Sequence, residues 1–325
     1  MSQSHGLWAR FEALSSSLDT SAVSAIRLDA AERHLLVKGK FGEPILLLAA
    51  TPRTSPRAPI RLKHVSVAFD AQYEVTNTDS GGTATGTYCK FTSDPDSVSL
   101  HPYFVEFLAS TARMHESSLQ QFEVDGIVDA TLELFRKLAT SPKNTVTGLW
   151  GELLLIHAAA YPDVFLKAWH IAGTDVFDFA FDDARVEVKT TERRTREHEF
   201  SLEQVRGGRA EDTVASVMLT RSAAGLSVLD LTRKIASRVS VDQQEKLWSL
   251  VLETLGHDAE NCDDQKFDEK AALNSISLIP ALAIPAPEIM EEDAATITNV
   301  RFKANVSDAS ARSALNVEEF LRRKP

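Results

Sequence analysis

One stretch constrains this chain more than any other: Val176 to Lys189, where apolar and polar residues alternate on both sides of an acidic break. Side chains in a strand point to opposite faces in turn. Between Val176 and Phe181 one face carries Phe177, Phe179 and Phe181, and the other Val176, Asp178 and Ala180. Between Ala184 and Lys189 the apolar face is Ala184, Val186 and Val188, and the polar face Arg185, Glu187 and Lys189. The break, Asp182-Asp183, suits a turn. A two-residue loop there pairs Phe181 with Ala184, Phe179 with Val186 and Phe177 with Val188, which sets Asp178 opposite Glu187. Cβ atoms of directly opposed residues lie roughly 4.5–5.5 Å apart. A slip of one residue would set phenylalanines against charges, so the apolar pattern selects this register.

Two carboxylates so close repel each other unless a cation or a proton lies between them. Mg²⁺ takes oxygen ligands, usually one or two protein carboxylates, and keeps positions for water and phosphate. Lys189 points to the same side as Glu187, where it could orient or deprotonate a water or offset charge on a phosphorane. The plain alternative is a solvated hairpin face with Lys189 paired to Glu187.

Upstream, residues 144 to 157 read as a helix capped by Asn144 or Thr147. Leu149, Leu153, Ile156 and Ala160 form its apolar stripe, and Glu152 lies beside it. Glycines inside a helix cost about 1 kcal/mol each relative to alanine. Gly148 and Gly151 therefore imply close backbone approach to the sheet or to nucleic acid. Glu152 either reaches the metal or its water shell, or is an ordinary acid near a helix N-terminus. Downstream, residues 198 to 205 read as a third strand entering a helix, with Ser201-x-x-Gln204 as a capping box. Gly207 and Gly208 interrupt that helix, and Thr213 to Thr220 form a fourth strand. Gln204 is either the cap partner or a contact to the scissile phosphate or Lys189. His198 is either structural or part of the site. Arg193, Arg194, Arg196, Arg206 and Arg209 are interleaved with Glu192, Glu197, Glu199 and Glu203, leaving a few arginines able to hold phosphates.

This order resembles the core of the PD-(D/E)XK nuclease superfamily. More narrowly, Gly-Leu-Trp-Gly-Glu-Leu (148–153), Phe-Asp-Phe (177–179), Glu-Val-Lys-Thr-Thr (187–191) and His-x-Phe-Ser-Leu-Glu-Gln (198–204) resemble a bacterial branch of it, encoded in restriction and anti-phage loci. The resemblance implies Asp178 and Glu187 as ligands of Mg²⁺ (with Mn²⁺ as substitute) and Lys189 as the catalytic lysine. Glu152 becomes the helix acid, and Gln204, Arg193, Arg194 and His198 become substrate contacts. No proline precedes Asp178. Asp175 is a rival for the aspartate role but falls on the wrong strand face. The implied activity is a metal-dependent DNA endonuclease of a bacterial restriction or phage-defence system. Its partners would be DNA, a helicase-like ATPase and a DNA methylase from the same locus, with a homodimer as one route to double-strand cutting. The alternative is a non-catalytic DNA-binding or scaffold subunit driven by a partner ATPase.

The formal net charge of −11 argues against a surface coated in basic residues, so DNA would need a local groove or a delivering partner. Cys89 and Cys262 make neither a zinc site nor a disulfide framework, which fits the cytoplasm. No stretch approaches the ~18 apolar residues of a membrane span. The glycines of 80–87 lack a phosphate-loop lysine and read as a plain turn. The expected fold is mixed α/β: a four-stranded mixed sheet flanked by helices, as in restriction endonucleases. A β-rich domain covers residues 1–105, the nuclease core 106–222, and a mainly helical region 223–325. Within the first, residues 7–18 read as a helix and 24–37, 44–50, 61–69 and 87–91 as strands. Residues 102–115 and 126–138 read as helices leading into the core. Residues 227–239, 243–255 and 308–323 read as helices, with strands at 276–284 and 295–304.

Overall fold

The computed structural model describes residues 6–16, 22–28, 33–76, 83–115, 117–138, 145–169, 176–206, 209, 211–290, 292 and 296–324. The chain forms two compact units, Met1–Lys143 with Ser240–Asn261, and Asn144–Val239 with Cys262–Pro325. That partition differs from the three stretches expected from sequence. The helices leading up to residue 143 stay with the β-rich part, and the C-terminal region belongs largely with the hairpin.

The first unit opens with α1 (Leu7–Glu12). Strands β1 (Ala22–Val23), β2 (Ala25–Arg27), β3 (Leu35–Lys38), β4 (Pro44–Ala49), β5 (Ile60–Arg61), β6 (Val65–Thr76) and β7 (Thr83–Ser93) follow. They form one sheet in the order β1-β6-β7-β4-β3-β2, with β5 on β6. β4 is buried along its whole length; a continuous apolar run is what a strand covered on both faces requires. Helices α2 (His101–Arg113) and α3 (Gln121–Lys137) complete this stretch, α3 beginning with a reciprocal capping box between Gln120 and Glu123.

The second unit carries the hairpin. It begins with α4 (Val146–Ala158) and α5 (Pro162–Ala168), then β8 (Phe179–Ala180), β9 (Arg185–Thr191) and β10 (Glu197–Ser201). After these come α6 (Leu202–Arg206), β11 (Thr213–Met218), β12 (Arg221–Leu226) and α7 (Val228–Ala236). The chain then gives α8 (Val241–Leu255) to the first unit, where Trp248 meets Tyr103 of α2 edge-on at 6.2 Å. It returns with α9 (Glu269–Ser275), β13 (Ser277–Pro280), β14 (Arg301–Asn305), α10 (Ser307–Arg312) and α11 (Val317–Leu321).

A mixed four-stranded sheet is present, but its membership differs from the expectation. The order is β13-β11-β9-β8: β9 is antiparallel to β8 and parallel to β11, and β13 is antiparallel to β11. The strand from His198 is not its third member. β10 pairs instead with β14, Phe200 opposite Phe302. The bend at 192–195 turns the chain out of the sheet, and both substitutes, β13 and β14, come from the far C-terminal region. The single final helix expected over 308–323 is two helices, because Asn316 caps a new start by accepting from the Glu318 and Glu319 N–H groups. The apolar face of the hairpin is fixed by an aromatic cluster. Phe165 of α5 lies 5.9, 5.1 and 5.3 Å from Phe179, Phe181 and Phe320, all edge-on. Among the described residues no helix is long and apolar enough to cross a membrane.

Candidate active site

The hairpin adopts the expected register. Phe179 faces Val186 and Ala180 faces Arg185, and the Phe181 N–H donates to the Ala184 carbonyl at 2.9 Å, closing the turn over Asp182 and Asp183. Asp178 stands one residue before β8 and uses its side chain where the ladder ends. Its Oδ2 accepts the Val188 N–H at 2.7 Å. The carboxylate is thereby held across the hairpin beside Glu187. The rival Asp175, the cap candidate Asn144, and Gly207 and Gly208 lie outside the described residues.

Glu187 is 6 % exposed, and Lys189 Nζ sits 2.6 Å from its Oε1. The same ammonium lies 5.8 Å from the Phe200 ring centre. Burial raises the Glu187 pKa above its ordinary value; Lys189 and a hydrogen bond from Gln204 oppose the rise, and the charge of Glu152 adds to it. Asp178 is pushed further, well above the usual carboxylate range, by burial first and then by the charges of Glu152 and Glu187. Those couplings place three acids within one electrostatic neighbourhood.

Glu152 comes from α4, which Thr145 caps by accepting the Gly148 N–H at 3.1 Å. Thr147 lies inside the first turn. Buried residues run around the whole helix from Leu149 to Ile156, so α4 is an internal helix rather than one with a single apolar stripe. Ala160 lies beyond its end and is exposed. Gly151 brings α4 onto β9: a Cβ there would fall 2.3 Å from Thr190 Cγ2 and 3.3 Å from Val188 Cγ1. The close approach expected of this glycine is to the sheet. Glu152 is 1 % exposed, and its Oε2 accepts the indole N–H of Trp169 at 2.7 Å. Trp169 is absent from the residues singled out in the sequence. A lone tryptophan after an apolar helix carries no signal that it touches an acid.

Gln204 takes the capping role, and its remaining side-chain contacts go to Val176 and Glu187 rather than to Lys189. Its Oε1 accepts the Ser201 N–H at 3.0 Å and its own N–H donates to Ser201 Oγ at 3.3 Å, closing the capping box. Its side-chain amide also donates to the Val176 carbonyl at 3.2 Å and to Glu187. His198 is enclosed in the fold. Its Nε2 pairs with Ser216 Oγ at 2.8 Å; burial, with Lys189 and Arg196 nearby, lowers its pKa to about 4. Arg196 is half-buried, donating to the Ser216 carbonyl at 2.8 Å and to its Oγ at 2.9 Å. Arg193 and Arg194 are exposed on the 192–195 bend, and Arg193 pairs with Glu197 at 2.5 Å. The structure thus gathers Asp178, Glu187, Lys189, Glu152 and Gln204, and leaves the two arginines on a neighbouring loop.

Among the described residues no three His, Cys, Asp or Glu side chains form a ready-made metal cage. The donor chemistry still fits a hard cation. Asp178 and Glu187 supply oxygen ligands whose mutual repulsion a cation would relieve, and Mg²⁺ commonly takes only one or two protein carboxylates.

A mixed sheet flanked by helices, with one acid just before β8 and a second acid and a lysine on β9, defines the class as a PD-(D/E)XK-like α/β core. The family model described as "Putative PD-(D/E)XK family member (DUF4420)" matches residues 7–275, and the chain belongs to that family. No curated protein and no solved structure matches the chain. PD-(D/E)XK nucleases typically use divalent metals.

Proposed function

We propose that this protein is a Mg²⁺-dependent DNA endonuclease of a bacterial restriction or phage-defence system, with Mn²⁺ as a substitute cation. The observation that carries this is the joining of Asp178, Glu187 and Lys189 at one end of the hairpin. Asp178 and Glu187 would hold the cation. When bound, the cation would supply Lewis acidity toward the phosphate and lower the pKa of a bound water. The remaining chemistry falls to side chains. Glu187 keeps the Lys189 ammonium at the site, where its N–H groups orient the attacking water and offset charge gathering on the phosphate oxygens. The water oxygen bonds to phosphorus, the bond to the leaving sugar oxygen breaks, and a proton passes to that oxygen. Glu152 adds negative charge behind the pair, and Gln204 fixes the Glu187 carboxylate. Arg193 and Arg194 stand where an exposed loop could contact the DNA backbone.

The net charge of −11 supports delivery of DNA by a partner, with a helicase-like ATPase and a methylase as the partner classes and the cytoplasm as the setting. The test is cleavage of methylated and unmethylated plasmid by wild type and Lys189→Ala, with Mg²⁺ or Mn²⁺ and the products of neighbouring genes. Cleavage by wild type alone supports the reading. No cleavage under any of these conditions points to the non-catalytic scaffold instead.

A further inference from the structure

Two buried tryptophans of the second unit use their indole N–H groups differently. Trp150 donates to a backbone carbonyl, that of Leu226, at 2.8 Å, the ordinary way to satisfy a buried indole. Trp169 donates to a carboxylate, Glu152 Oε2, at 2.7 Å, with both residues almost fully enclosed. Glu152 is the single acid in α4. A charge enclosed to this degree is costly unless it is hydrogen-bonded, and a charge-assisted bond of this length is among the strong ones.

The backbone of Trp169 makes a second connection. It forms an antiparallel bridge to Phe179, the residue next to Asp178. One residue is therefore joined through its main chain to the strand beside Asp178 and through its side chain to the acid of α4. We propose that Trp169 is a positioning residue for the acidic site, setting the distance between Glu152 and the Asp178–Glu187 pair. This rests on the reading of that pair as a cation site for phosphodiester hydrolysis. Groups that orient metal-site carboxylates without touching the metal typically change metal affinity or activity by about 10–100-fold when removed.

The test is a cycle of Trp169→Phe, Glu152→Leu (which leaves the indole N–H no side-chain acceptor at position 152) and the double variant in the full chain. Mn²⁺ binding by calorimetry and plasmid cleavage are measured on each, with thermal unfolding as a fold control. Trp169→Phe keeps an aromatic ring but deletes the donor and part of the buried volume, and Mn²⁺ affinity should fall about 10-fold. In the Glu152→Leu background the same change should cost less than about 2-fold, because the two residues act through one bond. A tryptophan that merely fills space would give losses that multiply, and that result, or wild-type affinity in a folded Trp169→Phe, overturns the proposal. A second measurement needs only Glu152→Gln: of the four tryptophan indole N–H resonances, one should shift strongly upfield as the charged acceptor is lost. No such shift also overturns it. Wild-type protein that binds Mn²⁺ and follows the cycle, yet cuts no DNA even with the products of neighbouring genes present, refutes the nuclease reading and leaves the Trp169 joint in place. Wild-type protein that cuts DNA while the losses multiply refutes the joint alone.

Discussion

Asp178 Oδ2 lies 2.7 Å from the backbone nitrogen of Val188, so a side chain takes over where the ladder between β8 and β9 stops. This bond ties the acid to the strand that bears Glu187 and Lys189. It also survives replacement of the acid by its amide, whose oxygen can accept the same N–H. Asp178→Asn should therefore fold as well as wild type or better, because it removes a half-buried charge that repels two others. Cleavage should fall by about 100–1000-fold, on the scale of losing a group that stabilises transition-state charge. Thermal unfolding beside plasmid cleavage checks both halves; an active Asp178→Asn would remove Asp178 from the chemistry.

Lys189→Arg should lose cleavage nearly as fully as Lys189→Ala. The guanidinium keeps the positive charge beside Glu187 but is bulkier, forked and never deprotonated in proteins. Retained activity in Lys189→Arg would mean that charge alone, rather than a compact ammonium at this spot, is what the reaction uses.

Mg²⁺ or Mn²⁺ should raise the unfolding midpoint, and a chelator should reverse the rise. A ligand at 100 times its dissociation constant stabilises the folded state by about 2.7 kcal/mol. The increase should vanish in the Asp178→Asn, Glu187→Gln double variant. A full rise in that variant would place the cation elsewhere.

Gly151→Ala should destabilise the protein by about 1–3 kcal/mol, the usual cost of overpacking. The new methyl would fall 2.3 Å from Thr190 Cγ2, a branched side chain fixed on β9. Adding Thr190→Ser deletes that methyl and should restore part of the loss. No recovery in the urea midpoint would argue that α4 is displaced for another reason.

His198 predicts a pH dependence of stability. Its pKa is lowered to about 4 in the fold, against about 6.5 for an unperturbed histidine. The unfolded chain therefore takes up the proton first, and stability falls as pH drops from about 6.5 toward about 4. The full effect is on the order of 3 kcal/mol. His198→Gln should flatten the stability profile across that window; an unchanged slope would show that other groups produce it.

The hairpin and its chemistry were legible in the residues because they are local. Phenylalanines alternating with Asp178, and valines with Glu187 and Lys189, admit one register, and the structure has it. The Ser201–Gln204 capping box was legible for the same reason. Gly151 announced a close approach, though its partner, Thr190, appears only in three dimensions. The placement of β10 was not legible. Whether a strand joins β9 or leaves it depends on which other strands are available, and β13 and β14 arrive more than seventy residues later. His198 likewise looks the same in sequence whether it faces substrate or Ser216.

Sequence by itself determined which side chains share a strand face and where the chain turns, since backbone periodicity fixes both within a few residues. Tertiary structure decided what those side chains meet: Trp169 against Glu152, Gln204 on Glu187, and the C-terminal strands that complete the sheets around them. Such meetings depend on packing between segments distant in the chain, and no local pattern encodes them.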